Sequence, residues 1–506
     1  MINNFDKENH KFHIFPELKN LMGNSMIYGA GSIVLKLINF ILIPVYTRFI
    51  TPKEYGLLAI TSSVLAVFMI LYSLEMRGAI NFFYTRSDRP EIRNRNISSI
   101  WLAMISFSLL MAVLFDTFGE KASAILFISV PYSPYIRIVI WTAFFTVFSQ
   151  VPQVLYQVKE SPIPFVVLLV ANALLNIGLS VYFIVVMRLG ALGYLLGAFI
   201  SSLLMSIPYL IITLRMIRPS FGWSQLGPIL AYSMPLVLHS LSAWLLEYSD
   251  RLIMEKFIPL SLIGIYSLGF QFGAVVNLFS TAVNTAWVPL IFRLDSQNPE
   301  QSKTRISRLV TYLITSVAFI FILLIIFVRE INLFAAPPEY KYAYQIAYWV
   351  ALGQLFHGLY YIPVNFLFLR GKTKFVPVIT IGSAVTNVSL NITLLPLFGV
   401  IGAAWAGCFS KMIMLTLALL ISHRVYPFKY EVNRLVKLII IVTTIFFINL
   451  LIPEYSLGLS LTLKSILVLV TIPILFLAKF FTQEEILFIS KFFKSLLHRN
   501  YLSITL

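Results

Sequence analysis

The chain has 506 residues, 59% of them hydrophobic and 12% charged, with a mean hydropathy of +0.86. That balance excludes a water-soluble domain and implies an integral membrane protein. The formal charge of +17 is spread over short loops and forms no basic domain, so no nucleic-acid partner is expected.

In chain order, the first twenty residues carry Asp6, Lys7, Glu8, Lys11, Glu17 and Lys19, which fits a retained cytoplasmic tail (1–21) and not a secretory signal. Hydrophobic stretches long enough to cross a bilayer follow, each needing about 20 residues. Fourteen are expected, at approximately 24–48, 56–83, 97–118, 137–157, 162–187, 190–214, 227–250, 262–290, 308–328, 343–368, 375–397, 399–422, 435–453 and 459–480. With residue 1 inside, most of the 38 Lys and Arg fall on inner loops such as 86–96, 369–374 and 423–437, as the positive-inside rule requires. Both termini are then cytoplasmic, and a bacterial inner membrane is the expected location. The tail from residue 482 opens with Thr482 and Glu485 in capping-box spacing and continues with apolar and basic residues at helical period. It reads as an interfacial helix on the inner leaflet.

The chain contains a repeat. Residues 46–60 ("YTRFITPKEYGLLAI") match 248–268, setting Arg48 opposite Arg251 and Gly56 opposite Gly264. "ALLNIGLS" (173–180) matches "AVTNVSLN" (384–391), and "GALGYLLGAFIS" (190–201) matches "GVIGAAWAGCFS" (399–410). The separation stays near about 200 residues in each case, which marks a duplicated unit. Six spans per unit is an even number, so the two copies enter the membrane from the same side as parallel repeats. The expected fold is therefore all-α: an N-lobe (22–215), an inter-lobe cytoplasmic linker (216–226), a C-lobe (227–423), two added spans (424–481) and the amphipathic tail (482–506). Two such lobes around a cavity describe an alternating-access transporter.

Ionisable residues inside spans are costly and mark function by default. Lys36 lies near the middle of span one, and Lys411 is similarly placed in span twelve. Arg48 and Arg251 close the first helix of each lobe, and Glu247 precedes Arg251 by one turn as a candidate ion pair. Asp250 points to another side of that helix and is a candidate for binding a proton or sodium ion, as are Glu75 and Glu247. Arg77 falls with Glu75 late in span two. Asn172 with Asn176, and Asn387 with Asn391, are amide pairs one turn apart that glue helices or line a polar cavity. The set Lys36, Arg48, Arg77, Arg251 and Lys411 outweighs its acids, and such a cationic chamber suits a phosphate or pyrophosphate cargo.

One cysteine, Cys408, rules out an internal disulfide and a cysteine-based metal cluster, and no metal or other cofactor is expected. No Walker A or HExxH string is present and no large soluble lobe, so no catalytic residue is assigned and the chain is not read as an enzyme. A membrane-embedded glycosyltransferase or polymerase would need a larger outer loop than this chain has.

The sequence resembles the polysaccharide (O-antigen type) flippases of the multidrug/oligosaccharidyl-lipid/polysaccharide exporter superfamily. The resemblance rests on residues 46–60, on "LAYSMPLVLHSLSAWLLEYSDRLIM" (230–254) followed by "IGIYSLGFQF" (263–272), and on the small-residue stretches near 190 and 399. It implies a V-shaped bundle of two six-helix lobes that moves a polyprenyl-pyrophosphate-linked oligosaccharide between leaflets for surface polysaccharide synthesis, coupled to H+ or Na+. It also implies contact of Arg48, Asp250 and Arg251 with cargo or ion, membrane lipid as a partner, and possible pairing with polysaccharide polymerase or assembly proteins. A monomer is expected. The alternative is a cation-coupled multidrug exporter of the same superfamily.

Overall fold

The structure, a computed structural model, describes residues 34, 37–87, 89–297, 299–427, 429–452, 457–483 and 485–486. Among these the chain is helical with no strands. The N-lobe holds α1 (Ile43–Phe49), α2 (Pro52–Ser73), α3 (Met76–Arg86), α4 (Pro90–Leu126), α5 (Arg137–Val147), α6 (Gln150–Val158), α7 (Pro162–Val181) and α8 (Gly190–Met216). The C-lobe holds α9 (Trp223–Met254), α10 (Leu260–Gly273), α11 (Val275–Gln297), α12 (Pro299–Ala335), α13 (Ala343–Leu369) and α14 (Phe375–Val425), followed by α15 (Val432–Leu451) and α16 (Leu457–Leu477).

Eleven stretches are long and apolar enough to cross a membrane. One of them, α14, has 51 residues, about 77 Å of rise, which is two crossings. The fold at Gly399, whose φ is 58°, separates them. With the 27-residue α13 the count among the described residues is thirteen, and most of the first expected span, 24–48, lies outside them. Span two is split into α2 and α3 at Leu74 and Glu75, whose φ values of 46° and 51° lie in the left-handed region.

The repeat is visible in the backbone. Gly190 and Gly399, matched in sequence, both take positive φ (53° and 58°) at the turn into the last helix of their lobes. A side chain there would be strained, which is why glycine recurs. The matched pair Gly193 and Gly402 each press on the preceding helix, at Phe183 and Leu394 respectively.

The lobes meet most extensively where α2 packs on α10. A Cβ on Gly56 would lie 1.9 Å from the Leu260 carbonyl oxygen, and one on Gly264 would lie 1.9 Å from the Pro52 carbonyl oxygen. Each lobe thus makes the same contact on the other, as a two-fold rotational relation between them requires. Further hydrogen bonds join the lobes at this end, which is remote from the linker. Thr47 Oγ1 donates to the Ala335 carbonyl (2.8 Å) and Tyr340 Oη to the Ile50 carbonyl (2.7 Å). The Ile128 and Ser129 N–H groups donate to Glu255, the former at 2.7 Å. Closer to mid-depth, Trp244 Nε1 donates to the Ser63 carbonyl at 2.9 Å.

The added helices α15 and α16 pack on α12 and on each other. Near one end Lys464 pairs with Glu330 at 2.7 Å, with Ser460 Oγ also donating to Glu330. Near the other, Arg434 bridges Glu431 and Glu485, each at 3.0 Å, and Tyr312 donates to Glu485. The capping box expected at 482–485 is formed: the Thr482 N–H reaches Glu485 (2.9 Å) and the Glu485 N–H reaches Thr482 (3.4 Å). Burial pushes the Glu485 carboxyl up, but the Tyr312 and Thr482 hydrogen bonds and Arg434 outweigh it and hold it below the usual range. This clamp therefore persists above the ordinary carboxylate pKa and weakens as pH falls through the depressed one. The rest of the predicted amphipathic tail lies outside the described residues.

Because Gly56 and Gly264 form one contact, Gly56→Ala and Gly264→Ala should each destabilise the purified protein by about 1–3 kcal/mol through overpacking against backbone. The double variant should be little worse than the poorer single one, as coupled sites are. Thermal melts in detergent that showed simple additivity would contradict the shared contact.

Candidate functional site

The last two turns of α9 bring four polar residues into the C-lobe interior. Asp250 and Arg251 are each 6% exposed. The Arg251 guanidinium pairs with Asp250 Oδ1 at 3.0 Å, donates to the Glu247 main-chain carbonyl, and stacks over Phe270 at 4.1 Å. Asp250 Oδ1 also accepts the Arg251 N–H at 2.8 Å, and Tyr266 Oη donates to Oδ2. Both Asp250 oxygens are therefore occupied by protein donors. The expectation of a free Asp250 is corrected here: adjacent side chains on a helix diverge, but arginine is long enough to fold back.

The expected ion pair between Glu247 and Arg251 is also absent. Glu247 instead meets Lys411 on the second crossing of α14, Nζ to Oε1 3.0 Å, with the lysine side chain 5% and the glutamate 27% exposed. His357 on α13 stands within electrostatic reach of both. Its Nδ1 is buried with no hydrogen-bond partner among the described residues. One step deeper, Ser249 Oγ contacts Asn387 Oδ1 (3.5 Å), Asn387 donates to Ser410 (3.2 Å), and Asn391 donates to Asn387 (3.2 Å). These amides tie the two crossings of α14 together and to α9. Asn391 Oδ1 has no partner among the described residues.

The N-lobe is arranged differently. Its amides Asn172 and Asn176 are only half-buried, and Asn176 accepts from Ser180 at 3.1 Å. Glu75 sits in the break between α2 and α3, and Arg77 follows in the first turn of α3, both half-buried. Arg48, in the last turn of α1, is exposed, unlike its repeat partner Arg251. Neither Arg48 nor Arg77 has a carboxylate within ion-pair distance among the described residues. Lys36 lies outside the described residues.

Charges in a low-dielectric interior are expensive unless paired, and Arg251 and Lys411 obey this, whereas the buried Glu255 is met by the Ile128 and Ser129 N–H groups and by no cation among the described residues. Lys411 and Arg251 are each matched by a carboxylate, so they add no free positive charge. The picture of five cations facing one chamber is replaced by two neutral buried pairs in the C-lobe and two uncompensated arginines in the N-lobe. Sequence reasoning missed the Glu330–Lys464 pair, Glu255, His357 and Tyr266. Lys464 and Glu330 sit near the ends of their predicted spans, where a charge reads as an interface anchor. Their opposite signs on neighbouring outer ends were the available signal.

Residues 21–295 match the family model described as polysaccharide biosynthesis protein, more than half of the chain. The chain belongs to this family. Residues 235–393, within the C-lobe, also match a second family model, MatE. The Lsg locus putative protein 1 of Haemophilus influenzae is 26% identical over 412 residues, covering 75% of this chain and 94% of that protein. The probable low-salt glycan biosynthesis flippase Agl15 of Haloferax volcanii is 26% identical over 194 residues, covering 38% and 41%. Among solved structures, the lipid II flippase MurJ in an inward closed conformation superposes with a TM-score of 0.70 at 14% identity, covering 89% of this chain and 98% of that one. That likeness establishes the fold of this family member: an all-α, multi-pass membrane protein of two lobes.

Removing one partner of the Glu247–Lys411 pair strands a buried charge. Lys411→Met alone should cost about 3–5 kcal/mol of stability, while Lys411→Met with Glu247→Gln should recover most of it. Melting temperatures of the three proteins check this; equal losses in the single and double variants would refute the pairing.

Proposed function

We propose that this protein flips a polyprenyl-pyrophosphate-linked oligosaccharide from the inner to the outer leaflet of a bacterial inner membrane, for surface polysaccharide such as O-antigen or capsule. The observation that carries the reading is a two-lobed fold of this family whose lobes close on each other at the linker-distal end, through a glycine crossing made of backbone. With the termini and linker cytoplasmic, that end is the outer one, and this conformer receives cargo from inside. Rotation about the crossing breaks the Thr47, Tyr340 and Glu255 hydrogen bonds and opens the outer side.

Arg48 and Arg77, without a carboxylate at ion-pair distance among the described residues, meet the pyrophosphate in this reading, and Lys36, outside the described residues, is a third candidate from its place in the sequence. Arginine suits the task because its planar fork binds phosphate oxygens in pairs. The buried Glu247–Lys411 pair beside His357 is the coupling site in this reading: H+ or Na+ entering at the partly exposed Glu247 releases Lys411 and loosens α9 from α14. Asp250 and Arg251 hold the end of α9 rigid. The chain works as a monomer alongside polymerase or assembly proteins that handle the exported glycan.

The match of residues 235–393 to the MatE model supports a second reading, a cation-coupled multidrug exporter. The two are separated in a strain lacking its own copy of the gene. The flippase reading expects the chain to restore surface polysaccharide, and Arg48→Glu or Arg77→Glu to reduce it by about tenfold, the effect of losing roughly 1.4 kcal/mol of headgroup binding. Failure of the wild-type chain to restore surface polysaccharide would sink the flippase reading, unchanged glycan with both variants normally expressed would sink the assignment of the arginines to the headgroup, and drug efflux without a glycan defect would favour the exporter.

A further inference from the structure

At the linker end of the N-lobe, two segments far apart in sequence are stitched together. Asn94 Nδ2 donates to the Arg218 carbonyl and the Arg218 N–H donates back to Asn94 Oδ1, both at 2.8 Å. The Ser220 N–H reaches Ser98 Oγ at 2.7 Å and the Gly222 N–H reaches Ser99 Oγ at 3.0 Å. The start of the linker is thereby bolted to the first turns of α4. The result is a fixed surface that gathers Arg86, Arg89, Arg93, Arg95, Arg215 and Arg218.

Three features separate this patch from an ordinary topology signal, which requires only positive charge. First, all six residues are arginine, whereas the C-lobe inner loops mix in Lys372, Lys374 and Lys429. Second, none of the six has an ion-pair partner among the described residues; these segments carry the acids Glu91 and Asp88, the latter outside the described residues; five of the arginines are exposed and Arg93 is half-buried. Third, three of the guanidinium groups are positioned: Arg86 lies over Phe82 at 4.3 Å, Arg93 over Tyr84 at 4.7 Å, and Arg95 lies against Gly222, where a Cβ would sit 2.7 Å from Nε. Beside them Trp223 is 80% exposed and packs edge-on against Phe221 with ring centroids 5.0 Å apart. An exposed tryptophan beside arginines is the composition of the membrane headgroup layer.

We propose that this patch is a binding site for the phosphorylated headgroup of a lipid in the leaflet at the linker end. Guanidinium groups without an ion-pair partner among the described residues, three of them positioned, supply bidentate donors to phosphate oxygens, and Trp223 and Phe221 set the depth at which the headgroup is met. The same chemistry serves two sources, the pyrophosphate of a polyprenyl carrier awaiting transport or the phosphodiester of a bulk anionic phospholipid. The carrier source rests on the flippase reading; the site itself does not.

The test uses the full chain in phosphatidylcholine nanodiscs, with native mass spectrometry reading the affinity for added polyprenyl pyrophosphate, uncharged polyprenol or phosphatidylglycerol. Phosphorylated lipid should bind at least about tenfold more tightly than polyprenol, and Arg93→Gln with Arg95→Gln and Arg218→Gln should remove that advantage. The triple lysine variant should fall between, because it keeps charge and loses the fork. Loss for the pyrophosphate alone assigns the site to the carrier; loss for phosphatidylglycerol as well assigns it to anionic headgroups in general, and this arm stands even if the chain proves not to be a flippase. Should the triple glutamine variant fail to fold, Arg95→Gln and Arg218→Gln singly should each weaken binding by about threefold. Wild-type affinity for both phosphorylated lipids in the glutamine variants would overturn the proposal.

Discussion

Everything in this architecture depends on the backbone-to-backbone crossing of α2 and α10 at Gly56 and Gly264. Two helices approach this closely only where neither carries a side chain, and here each glycine faces the carbonyl that begins the partner helix. The same four residues, Pro52, Gly56, Leu260 and Gly264, appear on both sides of the contact. A self-matched contact of this kind lets two lobes built from one duplicated unit close symmetrically. In the proposed transport cycle this contact would be the pivot, and the hydrogen bonds around it, at Thr47, Tyr340 and Glu255, are the ones that would break and re-form.

Against that pivot, the lobes carry different electrostatics. The C-lobe pairs Asp250 with Arg251 and Glu247 with Lys411, and beside these pairs Asn387, Ser410 and Asn391 form a hydrogen-bonded seam that joins the two crossings of α14. The N-lobe keeps Arg48 and Arg77 without described carboxylate partners and carries the arginine patch on its linker face. A neutral, tightly bonded seam suits switching, since admitting one ion upsets a balanced pair. Uncompensated arginines suit an anionic headgroup. The division of labour assigned to the two lobes follows from this asymmetry, which the duplication itself would not have suggested. The added helices α15 and α16 ride on α12, fastened near both ends by Lys464 with Glu330 and by Arg434 with Glu485.

Much of the fold was legible in the sequence because bilayer thickness fixes helix length and glycine marks the backbone positions no other residue tolerates. The span limits, the repeat register at Gly190 and Gly399, and the capping box at Thr482 and Glu485 all follow from such local rules. Contacts between spans do not. Matching Gly56 to Gly264 revealed that they correspond, while their meeting face to face required the three-dimensional arrangement. Lys411 finds Glu247 across 164 positions of chain, a pairing helical periodicity carries no information about. Asp250 and Arg251 show the reverse error: neighbours on a helix diverge at Cβ, but a long side chain curls back where burial leaves no water to satisfy it.

The central claim, that the lobes pivot about the glycine crossing, is tested most directly by the distance between spin labels far from it, at Thr85→Cys at the linker end of α3 and Thr373→Cys in the loop after α13, both exposed, read by pulsed electron resonance in nanodiscs. Without cargo the account predicts a single longer distance, and with a polyprenyl-pyrophosphate-linked oligosaccharide and an ion gradient a second, shorter population. One unchanged distance under both conditions, in protein that restores surface glycan, would contradict it.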